Sequence, residues 1–570
     1  MNAVRPEPVE GLAPPSVRPE VSKGPRDGLL PQAQDDRQSA SARTEGALLT
    51  LAESVAAHAR TQPHKIGVRD SKRGLTYARW NDRATRLANG LLGLGLVKGD
   101  RVALLAYNTI EWLELYVALA RSGLVAVPIN FRLAAPEIAF IVQHSGARAI
   151  VVQEALREAV EGIRAELPIE PARFIHFGAA STPPGWCGYE ALIDAAPSTT
   201  PAADLHGEDL FALMYTSGTT GRPKGAMRSH AGNALLALAT ALEFGLTRDD
   251  VGLLVMPLCH ANSLYFGLTF AMLGATIVVD DRAHFDSQAL LALLARERIT
   301  FTSLVPTHYV LMLGLPEAVK AQHDLTRVGK LLVSSAPARK ETKLAIHALF
   351  PNGRLFELYG STEAGWVTVL RPDEQIDHLG SVGREWAGSG AIKLLDGDGR
   401  EVPDGDVGEL YSRTAYVFSG YWQNPEKTRE CFRDRWCTVG DMARRDEQGF
   451  IHLVDRKSNM IISGGENIYP SEVEAVLAAH PAVHDVAVIG MPDATWGESV
   501  LATLVLRAGA GATATQLELE AWCRERMAGF KRPRRYVFIA DTQMPRTATG
   551  KIQHRVLRER LLAESALETA

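Results

Sequence analysis

The densest group of side chains suited to phosphate chemistry lies at Tyr215–Met227, YTSGTTGRPKGAM. Thr216, Ser217, Thr219 and Thr220 supply hydroxyls. Gly218, Gly221 and Gly225 carry no side chain, so backbone N–H groups can turn toward a ligand. Arg222 and Lys224 add positive charge, and the whole set suits a polyphosphate. It is not a Walker A loop, which needs Gly-Lys followed by Ser or Thr. Here Lys224 precedes Gly225, and no other Gly-Lys pair in the chain meets that rule. An ordinary surface loop has no need of a lysine directly after a hydroxyl array. Three further stretches hold isolated chemical groups: Glu363 in YGSTEAG, Asp441 in TVGD and Lys551 in TATGKIQ. Taken singly, each has a bland alternative as a cap, a turn or a solvated surface charge.

These groups sit in a chain whose strand and helix signals alternate from about residue 45. Thr76 precedes YARWNDRATRLANGLLGLGL, an amphipathic helix pattern that ends in glycine, and RVALLA (101–106) predicts a buried strand. A helix over 110–122, a strand near LVAVPI, a helix over 134–143 and a strand at 148–152 follow. This rhythm predicts a parallel, doubly wound α/β sheet. Past residue 350 the glycine-rich LLDGDGREVPDGDVGELYSR predicts hairpins. After Ile462 the texture changes. Ser471 to Glu474 has the form of a capping box opening a helix to about Ala479. Strands at DVAVIG and VLATLVL and a helix around 515–527 complete a small unit. The expected organisation is a tail over 1–44, a large domain over 45–455 and a small one over 456–570, joined near Asp455, Arg456 and Lys457.

Composition narrows the function classes. With 570 residues the chain exceeds what one small core supports, and 46% hydrophobic with 22% charged residues is ordinary for a globular enzyme. A net charge of −5 gives no general electrostatic reason to expect nucleic acid. The five cysteines are scattered and lack CxxC spacing, which fits reduced thiols rather than a zinc site. No apolar run approaches the ~20 residues that span a bilayer, and no basic-then-apolar leader opens the chain, so a cytoplasmic protein is expected. Residues 1–44 are rich in Pro, Arg, Glu and Ser and contain the near-repeats VRPEPVEG and VRPEVSKG. They offer too little apolar surface to offset ordering entropy.

YTSGTTGRPKG, YGSTEAG, GELYSR, TVGD, DRKSNMIISGGENIYP and PRTATGKIQ together resemble, in order and spacing, the signatures of the adenylate-forming superfamily, most closely its acyl-CoA synthetases. The resemblance covers about residues 50–560. It implies a large N-terminal domain of doubly wound sheets with a small β-barrel-like subdomain, and a small mobile α+β C-terminal domain. It further implies that a carboxylic acid and ATP give an acyl-adenylate and diphosphate, and that coenzyme A then displaces AMP. On this resemblance the loop Thr216–Gly221 with Lys224 holds the departing phosphates. Glu363 is the Mg²⁺ ligand and Thr362 bonds the α-phosphate. Tyr359 stacks on adenine, Asp441 accepts from the ribose hydroxyls and Arg456 reaches ribose and phosphates. Lys551 bridges the α-phosphate and the acid, a role that requires the small domain to close over the large one. Gly464 and Gly465 line the pantetheine tunnel. The hinge position two residues after Arg456, commonly Asp or Lys in the family, is Ser458 here.

The acid pocket is expected from PLCHANSLYFG (257–267), SLVPTHY (303–309) and the strand end VSSAP (333–337), with His260, Ser335 and Ala336 against the substrate. His260 matches a family position beside the carboxylate; a structural histidine is the other reading. These segments are largely apolar, with His260 and His308 as the polar exceptions. No Asp between Pro257 and Gly267 could hold an α-ammonium, which argues against amino acids. A carrier domain is absent from the sequence, so free CoA is the favoured acceptor and FKRPRRY (530–536) a candidate for its phosphates. A fatty or an aryl acid would fit. The alternatives are a ligase that loads a carrier protein and an inactive nucleotide-binding regulator. The oligomeric state is open, a homodimer included.

Overall fold

A computed structural model describes residues 49–216, 223–334, 338–463, 466–493, 496–507, 515–547 and 550–568. The expected tail over 1–44 lies outside them. The architecture is the α/β one expected, built on four sheets.

Two sheets are large and mostly parallel. In the seven-stranded one, Ala147–Gln153, Arg101–Leu105, Val125–Ile129 and Leu210–Thr216 run parallel at the centre, and Lys224–Ser229 closes the edge antiparallel. Val125–Ile129 is buried at every position, the pattern of a strand covered on both faces. In the eight-stranded sheet, Thr276–Val279, Val251–Leu254, Phe301–Leu304, Lys330–Ser334 and Arg354–Ser361 are parallel neighbours, and Gly365–Leu370 returns antiparallel. One apolar cluster joins both sheets through the helices Tyr77–Gly93, Ile110–Ser122, His230–Glu243 and Ala261–Leu273, with Trp80, Leu119, Leu236 and Phe266 inside it.

The helix starts follow local chemistry. Thr76 accepts from the Arg79 amide, as its position before the amphipathic pattern predicts, and Ser229 and Asp286 cap in the same way. The Lys343–Glu357 ion pair, at 2.6 Å and almost wholly buried, ties the helix Lys340–Leu349 to the strand that leads into the YGSTEAG turn. Burial raises the Glu357 carboxyl above its ordinary value despite the attraction of Lys343.

The glycine-rich segment forms Ile392–Leu395 and Val407–Ser412, antiparallel partners in a sheet completed by Asp441–Arg445 and Ile451–Arg456. The fourth sheet pairs Val483–Asp493 with Gly497–Leu506 and packs the helices Pro470–Ala478 and Gln516–Arg526. One local expectation fails here. Ser471 is not a cap: the helix begins at Pro470, so Ser471 already lies inside its first turn. Its amide donates to Asp455 at 3.0 Å and its hydroxyl donates to the Val454 carbonyl. Glu474 turns away to accept from the Val488 amide at 2.8 Å and to pair with His554 at 2.6 Å. The intact capping box of this region is instead Thr515 with Glu518.

Candidate active site

The strand Leu210–Thr216 buries Phe211 to Met214 and delivers Thr216 to its end, where Thr216 and Lys224 are register partners. The hairpin therefore holds Thr216 and Lys224 side by side. Ser217, Gly218, Thr219, Thr220 and Gly221, expected between them, lie outside the described residues. Lys224 rests its ammonium over the ring of Tyr421, 4.3 Å from the centroid.

Tyr421 is the centre of this half of the site. Its hydroxyl donates to Glu363 Oε1 at 2.8 Å, and the Thr216 hydroxyl donates to the same oxygen at 3.2 Å. Glu363 is only 6% exposed, so those two bonds fix a buried carboxylate. Burial, then the Glu363 charge, holds the Tyr421 phenol far above its usual range, so it stays a donor. The backbone around Tyr421 is tied as firmly. Phe418 N donates to Glu363 O at 2.7 Å, Ser419 N to Met227 O at 3.0 Å, Met227 N to Gly420 O at 2.9 Å and Trp422 N to Gly225 O at 2.8 Å. Residues 418–422 thus run as a rung between the phosphate-loop hairpin and Glu363. Arg228, fully buried, donates to the carbonyls of Thr362 and Glu363 at 3.4 and 3.3 Å. The turn itself needs its glycines: Gly365 has φ +70°, and a Cβ there would stand 2.7 Å from the Tyr416 ring.

A second knot holds the ribose-side candidates. The Tyr359 hydroxyl donates to Asp441 Oδ2 at 2.6 Å and Arg456 Nε donates to Asp441 Oδ1 at 3.1 Å. Asp441 and Arg456 are antiparallel register partners, so backbone pairing sets their meeting. Burial, then Asp441, raises the Tyr359 phenol well above its ordinary value. Lys551, on the C-terminal segment, interacts electrostatically with this knot. Crowding by protein, then the charge of Arg456, lowers its ammonium below the ordinary lysine value, against the pull of Asp441 and Asp455. Gly464 and Gly465 lie outside the described residues. In FKRPRRY, Lys531 pairs with Glu472 and Arg534 lies 4.5 Å over the Trp496 ring, so part of that basic run serves the fold.

The acid-side candidates gather at the carboxyl ends of three neighbouring parallel strands, the usual ligand edge of such a sheet. His260 stands at the start of the helix Ala261–Leu273, and its Nε2 is buried with no hydrogen-bond partner among the described residues. His308 Nδ1 is in the same state, its ring stacked on Phe285 at 4.1 Å. Burial, then the Arg132 cation, lowers both imidazoles to about 4, so both are neutral at physiological pH. Asn262 donates to Ser303 Oγ at 2.9 Å and Ser334 Oγ at 3.0 Å. Ser335 and Ala336 lie outside the described residues. One helical turn beyond Asn262, Tyr265 donates to the Thr362 carbonyl at 3.2 Å, joining the acid side to the YGSTEAG turn.

Sequence reasoning missed Tyr421 and Arg228, and held Asn262 and Tyr265 only as unnamed members of the segment 257–267. A charged residue inside the apolar strand KGAMRS was a legible signal for Arg228. Tyr421 had none, because a Tyr after Gly is common and its partners are remote in sequence.

Comparison with known proteins gives the family and the fold. Residues 55–422 match the AMP-binding enzyme family, and residues 472–551 match the AMP-binding enzyme C-terminal domain. A feruloyl-CoA synthase of Amycolatopsis sp is 37% identical over 504 residues, covering 88% of this chain and 97% of that protein. The long-chain-fatty-acid–CoA ligase FadD13 of Mycobacterium tuberculosis is 34% identical over 497 residues, covering 86% and 93%. Among solved structures, the anthranilate CoA ligase AuaEII in complex with anthranoyl-AMP superposes with a TM-score of 0.82 at 29% identity, covering 92% of this chain and 99% of that one.

Proposed function

The chain belongs to the AMP-binding enzyme family, and from that premise we propose how its residues run the two half-reactions of an ATP-dependent acyl-CoA synthetase. The enzyme is an AMP-forming acid–thiol ligase acting on a fatty or aryl acid. A carboxylate oxygen attacks the α-phosphorus of ATP, diphosphate leaves, and an acyl-adenylate results. The thiol of CoA then attacks the acyl carbon and AMP leaves.

The observation that carries the site assignment is Glu363, a buried carboxylate held through one oxygen by two hydroxyls beside the phosphate-loop lysine. Among the described residues no cluster of three or more His, Cys, Asp or Glu could hold a metal by itself. A single hard carboxylate completed by substrate phosphates and water is the arrangement that suits Mg²⁺. Glu363 fits that ion, which when bound would neutralise phosphate charge. Lys224 and the Thr216–Gly221 loop hold the departing diphosphate, and Thr362 contacts the α-phosphate. Tyr359 and Asp441 receive adenosine, with Arg456 spanning ribose and phosphate. Lys551 lies between acid and α-phosphate and lowers the repulsion between two anions. Gly464 and Gly465 admit the pantetheine arm. The domains are read as 45–455 and 456–570 with a pivot near Ser458, and no helix among the described residues is long and apolar enough to cross a membrane.

The test is acid-dependent diphosphate release, followed by thioester formation with CoA, across short, long-chain and aryl acids. Thioester with CoA alone is the expected result. Thioester only on a phosphopantetheinylated carrier protein would make the enzyme a carrier-loading ligase. No acid-dependent diphosphate release at all would overturn the reading.

A further inference from the structure

An acyl pocket for plain hydrocarbon chains is expected to present apolar walls. The acid side of this site instead presents side chains that keep hydrogen-bonding capacity among the described residues. Ser303 and Ser334 are 4% and 6% exposed, and each accepts from the Asn262 amide. A hydroxyl that accepts still has its own proton to give. His308 offers a buried Nδ1 with no partner among the described residues, on a ring kept in place by Phe285. Ser303 and Ser334 come from two neighbouring strands of one sheet, His308 from the helix Pro306–Leu313 that follows the first of them, and Asn262 from a helix whose next turn touches the Thr362 carbonyl. They are therefore fixed by the scaffold and adjoin the adenylation centre.

We propose that Asn262, Ser303, Ser334 and His308 form a specificity site for an uncharged polar substituent on the acid, a hydroxyl before all, so that the substrate is a hydroxylated acid rather than a plain fatty acid. A hydroxyl both donates and accepts, and so matches serine protons on one side and an imidazole nitrogen on the other. An unsubstituted chain would leave these buried groups unpaired, and sites of that kind reject the analogue lacking the polar group far more strongly than an apolar pocket rejects an extra methylene. A second carboxylate would have to shed its water to enter, and decanedioate tests whether the Arg132 charge that acts on both imidazoles offsets that cost. The proposal rests on the acyl-CoA synthetase reading above.

The test compares kcat/KM for thioester formation between matched acids: cinnamate against its 2-, 3- and 4-hydroxy forms, and decanoate against 3-hydroxy- and 10-hydroxydecanoate, with decanedioate as the charged control. At least one hydroxylated acid should exceed its parent about tenfold or more. In Asn262→Leu and His308→Leu that ratio should fall toward one, with kcat/KM for the parent rising, whereas His308→Asn should keep part of the preference. Parents or decanedioate used as well as every hydroxylated acid by the wild-type enzyme would overturn the proposal, whatever the variants do. An unchanged ratio in both folded leucine variants would overturn it too. Those outcomes leave the synthetase reading standing; only the loss of diphosphate release with every acid would remove that reading as well.

Discussion

The nucleotide side and the acid side of the site are built on adjoining strand ends, yet their polar groups are in opposite states. On the nucleotide side three of the candidates are already engaged: Glu363 by Tyr421 and Thr216, Asp441 by Tyr359 and Arg456, Lys224 by the face of Tyr421. On the acid side His260 and His308 keep buried nitrogens with no partner among the described residues, and the Asn262 amide donates to two serine hydroxyls. A site that meets the same charged cosubstrate in every turnover can hold its groups in place through one another, which lowers the reorganisation needed at the transition state. A site that selects among acids leaves its selectivity to groups that only the right ligand satisfies.

The largest effect should come from breaking the engaged side at its centre. Glu363→Gln keeps the shape and removes the charge, and diphosphate release should fall on the order of 10²- to 10³-fold with thermal stability held. Near-normal turnover at ordinary Mg²⁺ would take Glu363 out of the metal site. Lys551→Ala should cost about 10²-fold in acyl-adenylate formation, while thioester formation from preformed acyl-adenylate continues. Equal loss of both steps in a folded variant would count against a role of Lys551 confined to adenylation.

A smaller effect sharpens the comparison. Tyr421→Phe deletes the donor to Glu363 but keeps the ring under Lys224, so the Mg²⁺ concentration for half-maximal rate should rise about tenfold with the KM for the acid unchanged. Tyr421→Leu, which also removes the ring, should raise the KM for ATP in addition. Identical Mg²⁺ curves for wild type and Tyr421→Phe would show that the hydrogen bond is incidental.

The smallest effect belongs to the unpaired side and is one of pH. His260 and His308 are lowered to about 4 in the folded protein, below the ordinary 6.5 that the unfolded chain regains. Below pH 6.5 the unfolded chain therefore binds protons that the folded one refuses, and stability should drop as pH falls from about 6.5 toward 4. The His260→Gln, His308→Leu double variant should show a flatter dependence of Tm on pH over that window. An equally steep curve would place the titration elsewhere, with His230, also lowered to about 4 by burial, as the first candidate.

Local signals read well from the sequence wherever chemistry and geometry are adjacent in the chain. The helix expected over 110–122 is Ile110–Ser122, and Thr76 caps as its position implies. The capping box at Ser471 misled because Pro470 opens that helix one residue earlier and Asp455, remote from the helix in sequence, takes the serine amide. Glu363, Asp441 and Lys551 could be singled out because each sits in a motif, as could Tyr359, Arg456 and Thr216, but which of them bond one another could not, and Tyr421 could not be found at all. Tyr421 reaches Glu363 from 58 positions along the chain.

The sequence by itself determined the class of chemistry. Periodicity dictated parallel strands and covering helices, and a hydroxyl- and glycine-rich loop with one lysine set the expectation of a phosphate ligand. Tertiary structure alone decided which donor orients Glu363, which residues tie Asp441, and that Asn262 bonds both Ser303 and Ser334. The reason is physical. Side-chain type and short-range pattern are written along the chain, whereas the state of a hydrogen-bonding group depends on neighbours that sheet order brings from remote segments, and on the water they exclude.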